Sequence, residues 1–164
     1  MLDSYTQLLD LIFPPHPSVK KLRGVTPPMF NCHYDLIQTP FAYALSSYQD
    51  ELVNAAITAN KFHNSKAAAH LLAGLLHTYL ASLPHKKTWL VPIPLSAKRE
   101  RERGFNQVQR VLELVNYPDT TVTSLIKKVK ETPPQTALGR QERLNNPKGA
   151  FVIRKDVTIP KNHR

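Results

Sequence analysis

The sequence predicts an α/β fold built on a mainly parallel sheet flanked by helices. Three observations carry this expectation. Short apolar stretches alternate with longer stretches of helical period along most of the chain. The run Thr88-Trp-Leu-Val-Pro-Ile-Pro94 reads as a buried strand that ends in a proline-fixed turn. That run stands between two helical stretches, 66–82 and 97–116.

Taken in order, Tyr5–Phe13 has the pattern of a short amphipathic helix. Pro14, Pro15, Pro17, Pro27 and Pro28 then break up residues 14–40, so residues 1–40 are expected to form an arm of mostly irregular chain. Residues 41–48 suit a short strand. The helix expected at 50–61 has an apolar stripe of Leu52, Val53, Ala56, Ile57 and Ala59. Asn64-Ser65 can cap a second helix, 66–82, rich in Ala and Leu, with Pro84 just beyond it. The third helix, 97–116, is charged in its first turns and apolar at Phe105, Val108, Val111, Leu112 and Val115. Residues 121–126 are expected as a strand. Residues 130–149 hold Pro133-Pro134, Gly139, Pro147 and Gly149, the composition of a long loop with a short helix inside. Ala150–Ile153 reads as a last short strand, and no internal repeat occurs.

The 164 residues amount to one ordinary domain, and 41% hydrophobic content is enough for a core. No run of 18 apolar residues suggests a membrane span. Asp3 and Asp10 precede the first basic residue, Lys20, which is the wrong charge order for a secretory signal. Cys32 is the sole cysteine, so an internal disulfide and a Cys₄ zinc site are both excluded. A cytoplasmic location is the expectation. The formal charge is +10, and residues 86–164 carry all of it, because acidic and basic residues balance over 1–85. Such asymmetry favours anionic partners: phosphates, nucleotides or nucleic acid. A solvated basic face kept for solubility has the same composition.

The sharpest local pattern is Val91-Pro-Ile-Pro-Leu-Ser-Ala-Lys-Arg-Glu-Arg-Glu-Arg-Gly-Phe-Asn-Gln107. Lys98, Arg99, Arg101 and Arg103 follow directly on the strand end at Pro92-Ile93-Pro94. Open α/β sheets bind ligands at strand C-termini, and the guanidinium fork matches phosphate oxygens. Arg99 and Arg103, four apart, share a helix face, while Arg101 points elsewhere. A salt-bridged, solvated helix start involving Glu100 and Glu102 gives the same pattern. Farther on, Thr132, Gln135, Arg140, Arg143 and Asn145 could close over a ligand as a lid, although a plain surface loop has similar composition. His70 and His77 lie seven apart, too far for joint ligation, and Cys32-His33 has no neighbouring partners. Neither GxxxxGK[ST] nor GxGxxG occurs, and there is no nucleophile elbow.

Together these residues resemble the ComF family of phosphoribosyltransferase-like proteins, which includes GntX-type proteins. The matching segments run in order: Leu9-Asp-Leu-Ile-Phe-Pro-Pro15, Tyr48 through Lys61-Phe62, Val91-Pro-Ile-Pro-Leu95, and Arg101-Glu-Arg-Gly-Phe-Asn-Gln107. Thr132-x-x-Gln135, Arg143 with Asn146 or the adjacent Asn145, and Gly149-Ala-Phe151 complete the series. The resemblance implies a type I phosphoribosyltransferase-like parallel sheet flanked by helices, and an enzyme family whose reaction, phosphoribosyl transfer, belongs to the glycosyltransferase class. Residues 1–40 would be the arm, with a degenerate zinc segment: Pro17 and Lys20 stand where the family places a C-x-x-C. Residues 41–164 would be a partial phosphoribosyltransferase-like domain. The turn at Pro92, Ile93 and Pro94 would be the pyrophosphate loop, backed by Lys98, Arg99, Arg101, Arg103, Gly104, Asn106 and Gln107.

The family's acidic pair and Thr-Thr-Gly-type loop, which hold ribose and the 5′-phosphate, would follow residue 164; no Asp-Asp or Glu-Asp pair occurs within the sequence. The expected fold is therefore incomplete at the C-terminus, and self-association through unpaired sheet edges is expected. The resemblance also implies Mg²⁺ with phosphoribosyl pyrophosphate in full-length relatives, and no tightly bound cofactor here. Two functions stay open: a phosphoribosyltransferase-family protein that binds a phosphorylated small molecule, or a non-enzymatic accessory of DNA uptake that meets single-stranded DNA or a competence helicase. No membrane partner is expected. With one cysteine and scattered histidines, elemental analysis of the purified chain is expected to find no stoichiometric zinc; one zinc per chain, retained through gel filtration, contradicts this.

Overall fold

The computed structural model describes residues 10–11, 13–133 and 135–157. The chain divides into two compact units, residues 1–83 and 84–164. The sequence expectation puts its boundary after residue 40 instead.

The first unit is helical. It contains α1 (Pro17–Lys21), α2 (Pro27–Asn31), an antiparallel pair β1 (Ile37–Gln38) and β2 (Tyr43–Ala44), then α3 (Glu51–Phe62) and α4 (Lys66–Ala81). The two long helices start where their caps are written. The Asp50 carboxylate accepts from the Leu52 and Val53 N–H groups at 2.9 and 3.0 Å, and Ser65 Oγ accepts from Ala68 N–H at 3.2 Å. Asn64, at φ 51°, turns the chain between them, a conformation that Asn tolerates better than most residues. Val53, Ala55, Ala56 and Ala59 of α3 face Ala68, Leu71 and Leu75 of α4 in one core. The alanines let the two helices approach closely.

The proline-rich stretch is not the irregular arm that its composition predicts. Pro17 opens α1, and Pro27 and Pro28 open α2. In a helix's first turn the missing N–H of proline has no intrahelical partner to lose, and its fixed φ is already helical. These prolines therefore start helices. Between them the chain delivers Leu22 and Phe30 to the core, with α1 packed on α3 and α2 on α4. Arg23 forks onto the Asp10 carboxylate, one arm at 2.6 Å, and holds that carboxyl below its usual range. The amphipathic helix expected at 5–13 falls mostly outside the described residues.

The second unit contains β3 (Thr88–Leu90), α5 (Ala97–Arg103), α6 (Gln107–Glu113), β4 (Thr120–Val122), β5 (Ile126–Lys128), a 3₁₀ turn (Gln135–Ala137), α7 (Arg140–Asn145) and β6 (Phe151–Ile153). It is α/β, with β3 and β4 parallel in the register Thr88↔Thr120 to Leu90↔Val122. The helices α5 and α6 form the connection that a parallel pair needs. The expected mainly parallel sheet is otherwise not what forms. Among the described residues there are three two-stranded pairs, and both β1–β2 and β5–β6 are antiparallel. The excursion 129–150 returns β6 beside β5 in the opposite sense. The strand expected at 121–126 divides between β4 and β5, and that expected at 41–48 shrinks to Tyr43–Ala44. The expected loop at 130–149 with a short helix inside is present, its helix being α7.

The core of the second unit includes Leu90, Leu112, Val115 and Ala150. No helix among the described residues is long and apolar enough to cross a membrane. Phe30 is completely buried in the core of the first unit. Phe30→Ala is expected to cost about 3–5 kcal/mol, read as a lower urea midpoint at unchanged slope. A loss under about 1 kcal/mol would mean that the proline-started helices are not part of the first unit's core.

Candidate functional site

β3 leads into the turn Val91–Leu95, and α5 follows after one capping residue. Ser96, buried, accepts from Arg99 N–H at 3.4 Å. The sequence expectation of one helix over 97–116 fails at Gly104. Gly104 closes α5 with φ +74° and donates its N–H to Glu100 O at 2.8 Å. This left-handed conformation is open to glycine and strained for other residues. Two residues later Asn106 starts α6: its Oδ1 accepts from Val108 N–H at 2.9 Å and Gln109 N–H at 3.3 Å. Its Nδ2 donates back to Ile93 O at 3.0 Å. The Arg-Gly-Phe-Asn-Gln block is thus a corner that ties α6 to the proline turn. Arg103 Nη1 donates to Gln107 Oε1 across the corner at 2.8 Å, and the Arg110 guanidinium lies 3.7 Å from the Phe105 ring centre.

A cleft of about 220 Å³ opens at this corner. It is lined by Ile93, Pro94, Arg99 and Gln107 from the first motif, and by Thr132 and Gln135 from the second. Two segments that sequence reasoning singled out separately meet there. The remaining expected site residues lie elsewhere. Lys98 offers its backbone N–H to Glu131 Oε1 at 3.5 Å, and Arg101 is exposed. Gly104 and Asn106 build the corner, and Arg103 pairs with Gln107. Arg140, Arg143 and Asn145 are exposed on α7 and do not line the cleft. Asn146 Nδ2 donates to Pro133 O at 3.1 Å, closing the 133–146 excursion on itself. Pro92 and Asn106 line a second, larger cleft of about 780 Å³, together with Lys127, Arg154 and Lys155.

Sequence reasoning missed three residues here. Ser96 has no role assigned to it within the first motif. Glu131 is held below the usual carboxylate range by the Ser96 hydroxyl, with Lys98 N–H and the charges of Lys128 and Lys98 adding to it. Lys128 lines both clefts. In β5 Lys127 is exposed while Ile126 and Lys128 are half-buried, a difference between two adjacent lysines that the sequence does not mark. Among the described residues no three His, Cys, Asp or Glu side chains converge as a metal site.

Two curated proteins are similar to the chain. Competence protein F of Haemophilus influenzae is 32% identical over 104 residues, covering 57% of this chain and 44% of that protein. Competence protein ComFC of Bacillus subtilis is 49% identical over 41 residues, 25% of this chain and 17% of that protein. The chain is related to the ComF family. It spans less than half the length of these ComF proteins. No family model and no solved structure matches.

An added Cβ at Gly104 meets nothing within 4 Å, so Gly104→Ala tests the corner's backbone conformation without a clash. It is expected to cost about 1–2 kcal/mol, seen as a lower Tm. An unchanged Tm would mean that the left-handed corner is not required.

Proposed function

We propose that the chain is a ComF-type, phosphoribosyltransferase-family module whose second unit binds a phosphorylated or pyrophosphate-bearing small molecule in the cleft beside Ile93-Pro94. The observation that carries this reading is the convergence of the proline turn, Arg99 and Gln107 with Thr132 and Gln135 on one small cleft. Among the described residues no carboxylate lines that cleft, and the polar groups that do are one guanidinium, one ammonium, amides and hydroxyls. Such a set matches phosphate oxygens, with the guanidinium supplying paired donors. The reading is confined to binding. Transfer to a ribosyl carbon needs both ends of the donor held, and these residues offer the pyrophosphate end.

A second reading is a competence-related accessory that meets DNA through a basic surface. It is favoured by the names of both relatives and by the +10 charge carried by residues 86–164. Salt separates the two readings. Binding through many phosphates falls steeply with salt concentration, whereas a single small anion gives a shallow slope.

In NMR of the full chain, pyrophosphate is expected to shift the amides of Ile93, Arg99, Gln107, Thr132 and Gln135. Arg99→Ala is expected to weaken binding by about tenfold or more. Unchanged spectra at millimolar pyrophosphate, together with steeply salt-dependent binding of single-stranded DNA, would replace the first reading with the second.

A further inference from the structure

Lys128 closes β5 and is half-buried. Its ammonium donates to Thr132 Oγ1 at 2.8 Å and lies 5.8 Å from the centre of the Phe151 ring. Thr132 and Phe151 line the same cleft as Lys128, so the ammonium sits among cleft walls. Arg99 is there too. Among the described residues neither Lys128 nor Arg99 belongs to an ion pair. Burial depresses the proton affinity of Lys128, the charge of Arg99 depresses it further, and Glu131 opposes both from outside the lining. Two like charges gathered in a cleft whose described lining holds no carboxylate, with Glu131 only outside it, form an arrangement that a bound anion relieves.

The cleft's size narrows the choice of anion. About 220 Å³ lies below the roughly 300–1,000 Å³ typical of pockets for drug-sized ligands. That suits a phosphate or diphosphate group and is too small for a drug-sized molecule.

We infer that Lys128 is a second anion-binding residue, which acts with Arg99 and Thr132 to select a phosphate group that carries at least two negative charges. This rests on the reading of the cleft as a phosphate site, and it adds a residue outside the proline-arginine motif and a charge requirement on the ligand. Lysine serves as a compact point charge beside the planar fork of Arg99. The Thr132 hydroxyl accepts a hydrogen bond from the ammonium and holds it in the cleft.

The test is calorimetric titration of the full chain with pyrophosphate and, separately, with the monoanion dimethyl phosphate. Lys128→Met is expected to weaken pyrophosphate about tenfold or more and to leave the poor binding of dimethyl phosphate unchanged. Lys128→Arg is expected to stay within a few-fold of the parent. If Lys128→Met keeps pyrophosphate affinity within twofold while Arg99→Ala abolishes it, Lys128 has no such role and the phosphate site stands. If the parent chain binds no pyrophosphate, both fall. A readout on the parent chain covers the case where a variant does not fold: pyrophosphate is expected to raise the titration midpoint of the Lys128 side-chain signals. A midpoint that does not move overturns the inference.

Discussion

Asn106 uses both ends of one amide, and the second unit's site depends on it. Its oxygen takes two N–H groups at the start of α6, while its nitrogen reaches the Ile93 carbonyl in the proline turn. Aspartate could keep the cap but has no proton for Ile93. Serine could cap α6 but is too short to reach the turn as well. The turn has few other ways to be held, because Pro92 and Pro94 have no N–H to donate. With α5 ending at Gly104, the chain reverses within two residues and comes back to the strand end that it left. Arg99 and Gln107, eight positions apart in sequence, thereby reach one cleft.

The electrostatics of the unit follow from that corner. Arg103 is bonded to Gln107, Arg101 faces water and Lys98 presents a backbone donor to Glu131, which leaves Arg99 as the motif's cation in the cleft. Glu131 stays outside the lining, drawn to the Ser96 hydroxyl at the start of α5. The carboxylate is thus kept close enough to moderate the charge of Lys128 without occupying the cleft.

How far the sequence could be read depended on whether a residue's task is local. Asp50 and Ser65 cap the helices they precede, so α3 and α4 are legible within a residue or so. The strand at Thr88–Leu90 and its proline exit are legible for the same reason, although only Leu90 of the strand is buried. The break at Gly104 is not, because the residues on both sides keep a helical period; only the pairing of a left-handed glycine with a capping Asn106 marks it. The pairing sense of β5 and β6 depends on how the 129–150 excursion returns, which strand composition does not encode. Lys128 escapes notice because a lysine at a strand end reads as solvent-facing, and its partial burial arises from Thr132 and Phe151 packing beside it.

The prolines at the starts of α1 and α2 act on more than the folded chain. Pro17, Pro27 and Pro28 each narrow the backbone choices of the denatured ensemble while sitting at native angles that suit them. Each such placement favours the folded state by about 0.4–1 kcal/mol through lost freedom of the unfolded chain. Two five-residue helices, too short to persist alone in water, thus reach the core with part of their ordering entropy already removed. A share of the first unit's stability is therefore invisible in any inventory of its contacts, because it resides in conformations that the unfolded chain can no longer visit.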